Sequence, residues 1–202
     1  MQATWADGGG ITGSWKGYMA AARAAFMQQL AAGDDADVFE WCMQVAAEDD
    51  ALSTHSVVEL PVPMYAKRVD TLVTDFLARG LVEQVKEACA KEASLLEGDS
   101  KYNEQETLAL ALGRAVEQFL FEEKKYTVAS KQTVVELEVY TPYRIYMHNV
   151  LPQTCGTPAV LAAVLSAILK RLAAKGALPA EAPLKVRREY RREYRAKAHR
   201  WH

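Results

Sequence analysis

A chain of 202 residues, half of them hydrophobic and a quarter charged, has room for one domain with a real core and short appendages. Its longest apolar run, Ala159–Leu169 with one serine, is too short to span a bilayer, and the opening MQATWADGGGITGS lacks the charged start and apolar stretch of a secretory signal. The net charge of −2 conceals an asymmetry: Lys185–His202 holds eight Lys/Arg against Glu189 and Glu193, a local +6, which leaves sixteen basic and twenty-four acidic residues elsewhere, a local −8. An acidic body with a basic tail points to a polyanion or an acidic partner for the tail.

Residues 1–13 read as a flexible arm. The alanine-rich stretch Trp15–Leu30 predicts a helix that ends at Gly33, and Asp34 or Asp35 is placed to cap a second one through about Ala47, with Val38, Cys42 and Val45 on one face. Pro61 and Pro63 mark a connection. The next predicted helix, about Met64–Ala78, buries Val69, Leu72, Val73 and Phe76 and stops at Gly80. A weaker helix over Leu81–Leu96 and a polar loop over Glu97–Asn103 follow. In a long helix over about Glu104–Lys124, Leu108, Leu112, Ala115 and Phe119 recur at steps of four, three and four.

The helical pattern breaks at Thr127–Tyr140, where Thr133, Val135, Leu137 and Val139 alternate with Val134, Glu136, Glu138 and Tyr140; a small extended or β-hairpin element is expected near Val134–Val139, and it needs a partner strand. Thr157-Pro158 then opens the most apolar helix, with the threonine hydroxyl as cap and proline in the first turn; it closes at Lys170-Arg171 and Gly176, before Pro179. The predicted fold is mainly α, six to eight helices with the Thr157–Lys175 helix central, over residues 14–178, followed by a basic tail at 179–202.

Three pieces in order carry a family resemblance: Ala46-Ala47-Glu48-Asp49-Asp50, Tyr65-Ala66-Lys67-Arg68-Val69-Asp70-Thr71-Leu72 and AVEQFLFEE at Ala115–Glu123. A tyrosine-rich loop, Tyr140-Thr141-Pro142-Tyr143, comes next, then Val150-Leu151, then Gly156-Thr157-Pro158 and the aliphatic Leu161–Leu172. Over roughly Asp37–Leu178 this resembles the helical half of the transglutaminase-like proteins of the Sir-B type. In transglutaminase- and papain-type enzymes, the start of such a helix carries the nucleophilic cysteine. Here that slot is Pro158. Thr141 and Arg144 stand where the family carries aspartate and asparagine, and Gln153-Thr154-Cys155 where a basic residue precedes the glycine. Thr127–Val139 reads as an insertion, and the family's strands with a Gly-His-Phe motif have no counterpart after Leu178. The resemblance therefore implies a degenerate, non-catalytic scaffold with no cofactor, and its members in photosynthetic eukaryotes suggest a plastid.

Other residues carry candidate chemistry of their own. Cys155, two residues before the helix cap, is the one candidate nucleophile, with His148 seven residues upstream as the only nearby base; the competing reading is an inert loop thiol. His55, His199 and His202 carry no motif. Glu48-Asp49-Asp50 and Glu122-Glu123 could act as acid–base or metal carboxylates, but carboxylates near helix ends are more often solvated. Gly8-Gly9-Gly10 lacks the preceding strand and the Gly-Lys-Ser/Thr of a phosphate loop. The odd, widely spaced cysteines Cys42, Cys89 and Cys155 fit neither a disulfide framework nor a zinc site, and predict reduced thiols in an intracellular compartment.

The tail offers more. On a helix, Val186, Tyr190, Tyr194, Ala198 and Trp201 form one stripe, flanked by Arg187, Arg191 and Arg195 on one side and Arg188, Arg192 and Lys197 on the other. Arginine pairs in bidentate fashion with carboxylate or phosphate and stacks on rings. The expected role is docking on protein subunits of a larger assembly. RNA contact is the alternative, and packing on the chain's own body or on a membrane surface also fits the pattern.

Overall fold

The computed structural model describes residues 14–33, 37–55, 58–95, 104–129 and 145–178. Among these residues seven α-helices and a two-strand parallel sheet make a mainly α fold. The N-terminal arm, most of the 127–140 insertion with Val134–Val139, and the 179–202 tail lie outside them.

Helix α1 (Trp15–Ala31) starts where the Ser14 hydroxyl accepts from the Gly17 amide at 3.2 Å. It lies along α2 (Val38–Thr54), and its buried residues are small or polar-tipped: Gly17, Tyr18 and Ala22. With Ala47 and Ala51 of α2, Tyr18 and Ala22 form a cluster separate from the main core. The Tyr18 hydroxyl accepts from the Leu60 amide at 2.7 Å and so holds the α2–α3 connection.

Helix α2 departs from the sequence expectation in three ways. Its cap is Asp37, whose carboxylate accepts from the Phe39 amide at 2.9 Å, rather than Asp34 or Asp35. It continues past Ala47 to Thr54, because Glu48 finds Arg23 of α1 and the Ser53 and Thr54 hydroxyls donate to the carbonyls of Asp49 and Asp50 one turn back. Its buried stripe is Phe39, Met43, Ala46, Ala47 and Ala51, one position round from the expected face; Val45 is 44% exposed. Phe39 and Met43 fill more core volume than Val38 and Val45, so the larger side chains set the rotation of the helix.

Helix α3 (Val62–Ala78) begins at Pro61-Val62-Pro63, buries Val69, Val73 and Phe76, and stops before Gly80, whose φ of 65° suits glycine. Helix α4 (Leu81–Leu95) packs on α3 and on α5 (Glu104–Gln118). The expected Glu104–Lys124 helix ends differently. Phe119–Glu123 widens into a π turn, closed by the Lys124 amide donating to the Phe119 carbonyl at 2.9 Å. Of the predicted stripe, Leu112 and Phe119 are fully enclosed, and Leu108 and Ala115 are partly so.

Strand β1 (Thr127–Val128) pairs in parallel with β2 (Cys155–Gly156), Thr127 opposite Cys155 and Val128 opposite Gly156. The short α6 (Met147–Gln153), with Pro152 in its last turn and ended by Thr154 at φ 52°, leads into β2. The extended element at the start of the insertion thus finds its partner immediately before the apolar helix.

That helix, α7 (Pro158–Ala174), is the centre of the fold. Nine of its residues are buried, Leu161, Val164, Leu165 and Ile168 among them, and α2, α3, α5 and α6 all pack against it. Its start is not capped as expected: the Thr157 side chain makes no capping bond, and Pro158, with no amide hydrogen to satisfy, takes the first position. Its far end is held by ion pairs. Lys170 meets Asp37 at 3.3 Å, and Arg171 donates to Asp70 at 2.7 Å while lying over the Phe39 ring. No helix among the described residues is long and apolar enough to cross a membrane.

Candidate functional site

The start of α7 sits on a tightly packed support. β2 is fixed by the Thr127 amide donating to the Thr154 carbonyl at 2.8 Å and the Ala129 amide to the Gly156 carbonyl at 2.9 Å. Gly156 is pressed on Val150 of α6: a Cβ there would lie 2.7 and 2.8 Å from the two valine methyl carbons. A larger residue would push α6 and β2 apart.

Pro158 is exposed at the head of this helix. Cys155, half-buried, pairs through its backbone with β1, and its thiol is free of any disulfide. The sequence placed His148 as the nearest base. The structure gives that imidazole other neighbours: the Tyr65 ring of α3 lies edge-on at 6.1 Å, the Tyr146 ring stacks at 6.0 Å, and Nδ1 is buried without a hydrogen-bond partner. Cys155 and His148 do not form a hydrogen-bonded pair. Such a pair is what nucleophilic activation of the thiol needs.

His148 instead joins the acidic end of α2. Asp49 faces the Tyr146 hydroxyl, and burial together with that carboxylate pushes the tyrosine pKa up to about 12. Asp50 and Asp49 both act on His148; burial holds the imidazole below its ordinary value, and the two carboxylates partly offset this. Glu48 turns away to Arg23. The run Glu48-Asp49-Asp50 therefore divides between an ion pair and a tyrosine–histidine cluster.

Glu122-Glu123 divides as well. Glu123 pairs with Arg79, and Glu122 accepts from the Gln118 amide group at 2.9 Å. Beside them Lys124 bonds Asp75 at 2.5 Å, which lowers the Asp75 pKa, and both Lys124 and Arg79 lie over the Phe119 ring. This is an electrostatic clamp around the π turn. Among the described residues no group of three or more His, Cys, Asp or Glu side chains could hold a metal ion.

The tail residues Arg187, Arg188, Tyr190, Arg191, Arg192, Tyr194, Arg195 and Trp201 lie outside the described residues, as does Gly8-Gly9-Gly10. Two features escaped sequence reasoning. Tyr146 and Tyr65 converge on His148 from elements far apart in sequence, and no local pattern announces a contact across eighty residues. Trp41, whose indole Nε1 is buried without a partner, lies beside Phe26 between α1 and α2. No family model, curated protein or solved structure matches the chain.

Proposed function

We propose that this chain is a non-catalytic structural or accessory subunit of a larger intracellular assembly, built on a degenerate Sir-B-type transglutaminase-like scaffold. The observation that carries the reading is the helix start: a proline takes the first position of α7, where the resembled enzymes carry their nucleophile, and among the described residues the neighbouring Cys155 has no hydrogen-bonded histidine. The surface adds support. Met27, Leu30 and Val45 of the α1–α2 pair are 56%, 48% and 44% exposed, and Val58 is 73% exposed. A partner that covered them would remove this apolar area from water. The basic aromatic tail, Arg187–Trp201, is the second docking element, and a plastid is the compartment this reading favours.

The test combines reactivity with capture. A thiol probe should label Cys155 at the rate of an unactivated thiol and spare Cys42, whose pKa burial raises to about 11 with Asp37 adding to the rise. Rapid labelling of Cys155, abolished by His148→Ala, would overturn the reading in favour of a cysteine enzyme. Pull-downs across a salt series should then lose their protein partners with Tyr190→Ala/Tyr194→Ala and keep them at moderate salt, because buried aromatics dominate protein interfaces. The arginine pair Arg187→Gln/Arg191→Gln should remove a moderate salt dependence, its cost being largest at low salt and shrinking as salt screens the charges. Recovery of RNA alone, released by salt and indifferent to the tyrosine changes, would instead assign the tail to a polyanion.

A further inference from the structure

The cluster that joins α2, α3 and α6 around His148 has no role in the scaffold reading beyond packing. We propose that His148, held between Tyr65 and Tyr146 and faced by Asp49 and Asp50, is a proton-operated clasp that loosens the first turn of α6 when the ring becomes an imidazolium.

The geometry sets out the steps. In the neutral ring one nitrogen is bare and one carries hydrogen; in the imidazolium both are donors. Nδ1 lies buried with no acceptor in reach. A proton arriving from solvent therefore creates a buried cation, with an N–H at Nδ1 that has no partner in the present arrangement. The groups that face it are the carboxylates of Asp49 and Asp50 from α2 and the rings of Tyr65 from α3 and Tyr146 at the head of α6. Only the carboxylates can accept strongly. Asp49 already faces the Tyr146 hydroxyl, which stays protonated throughout the range where an imidazole titrates.

To gain a carboxylate, the ring must turn out of its stack on Tyr146 and its edge contact with Tyr65, or draw Asp49 away from the Tyr146 hydroxyl. Either movement breaks a contact that fixes the start of α6. The exposed side chains Leu52, Met64 and Ile145 lie within two residues of Asp50, Tyr65 and Tyr146 respectively. Opening the clasp therefore shifts Ile145, bonded to Tyr146 at the head of α6, relative to Leu52 on α2 and Met64 on α3.

The experiment follows the imidazole signals of the full chain by nuclear magnetic resonance from about pH 8 to about pH 5. The His148 signal is identified by its loss in His148→Gln or, if that variant does not fold, by backbone connectivity in the wild type. Its midpoint should fall below 6.5. The Tyr65 and Tyr146 ring signals should move with the same midpoint, and Asp49→Asn and Asp50→Asn should each lower it further by removing an attraction for the imidazolium. Tyrosine signals that stay fixed while His148 titrates would overturn the clasp, as would a midpoint that neither asparagine change moves.

Discussion

At the scale of single residues, close packing shapes the start of α7. Gly156 is there because Val150 leaves no room for a side chain. Gly156→Ala should destabilise the fold by about 1–3 kcal/mol, as overpacking in a close-packed interior does. Denaturant unfolding of Gly156→Ala, Val150→Ala and the double variant would check it. The double variant should lose less than the sum of the two, by a coupling of about 0.5–3 kcal/mol. Additive losses would place the glycine's role in the backbone instead. Pro158 fits on other grounds: the first helical position needs no amide hydrogen, so a proline is tolerated there.

At the scale of elements, the apolar helix decides the architecture. A helix buried on most of its faces needs neighbours all round, and α2, α3, α5 and α6 supply them. Leu165→Ala should cost about 2–5 kcal/mol in denaturant unfolding, the range for large-to-small changes in packed cores. A loss below about 1 kcal/mol would mean the site collapses around the cavity or the helix is less enclosed than its burial indicates. Much of this was legible in sequence. The steps Leu108, Leu112, Ala115 and Phe119 and the run Leu161–Leu172 marked two core helices, because apolar periodicity is a local property. What could not be read depended on distant partners. The rotation of α2 follows from where Phe39 and Met43 meet α7, and its extension to Thr54 from Arg23 on another helix. The π turn depends on Arg79 and Lys124 gathering on Phe119, and the clasp on rings from α3 and α6. The β1–β2 pairing joins residues 28 positions apart in register, Thr127 opposite Cys155, which strand propensity alone cannot specify when both strands are two residues long.

At the scale of the whole molecule, titration links these parts to stability. His148 binds its proton less readily in the folded state than its ordinary value of 6.5. The unfolded chain therefore takes up more protons as pH falls, so stability is full above about 6.5 and declines from there down to the folded-state pKa, below which the loss stops growing. Tyr146 works in the opposite direction. Its raised pKa adds stability below about 10 that is lost as pH rises toward about 12. Thermal unfolding as a function of pH should show both flanks. His148→Gln should flatten the acid one between about pH 6.5 and about pH 5, and Tyr146→Phe the alkaline one. An acid flank unchanged in His148→Gln would shift the explanation to the carboxylates, Asp75 with its Lys124 partner among them.

The small cluster between α1 and α2 has a consequence of its own. Tyr18, Ala22, Ala47 and Ala51 form it apart from the main core, and α1 makes its principal contacts with α2 alone. An element attached along one side, through a small cluster of Tyr18 and alanines with Phe26 on Trp41 and an exposed Arg23–Glu48 pair beside it, opens at lower free energy than the rest. Amide hydrogen exchange should therefore be graded across the chain. The α1 amides should exchange first, by detachment that leaves the other helices closed, and the amides of Val164 and Ile168 last, through global unfolding. The molecule thus has a removable outer layer, and a protein that captured α1 in its detached form would expose Ala47 and Ala51 without disturbing α7.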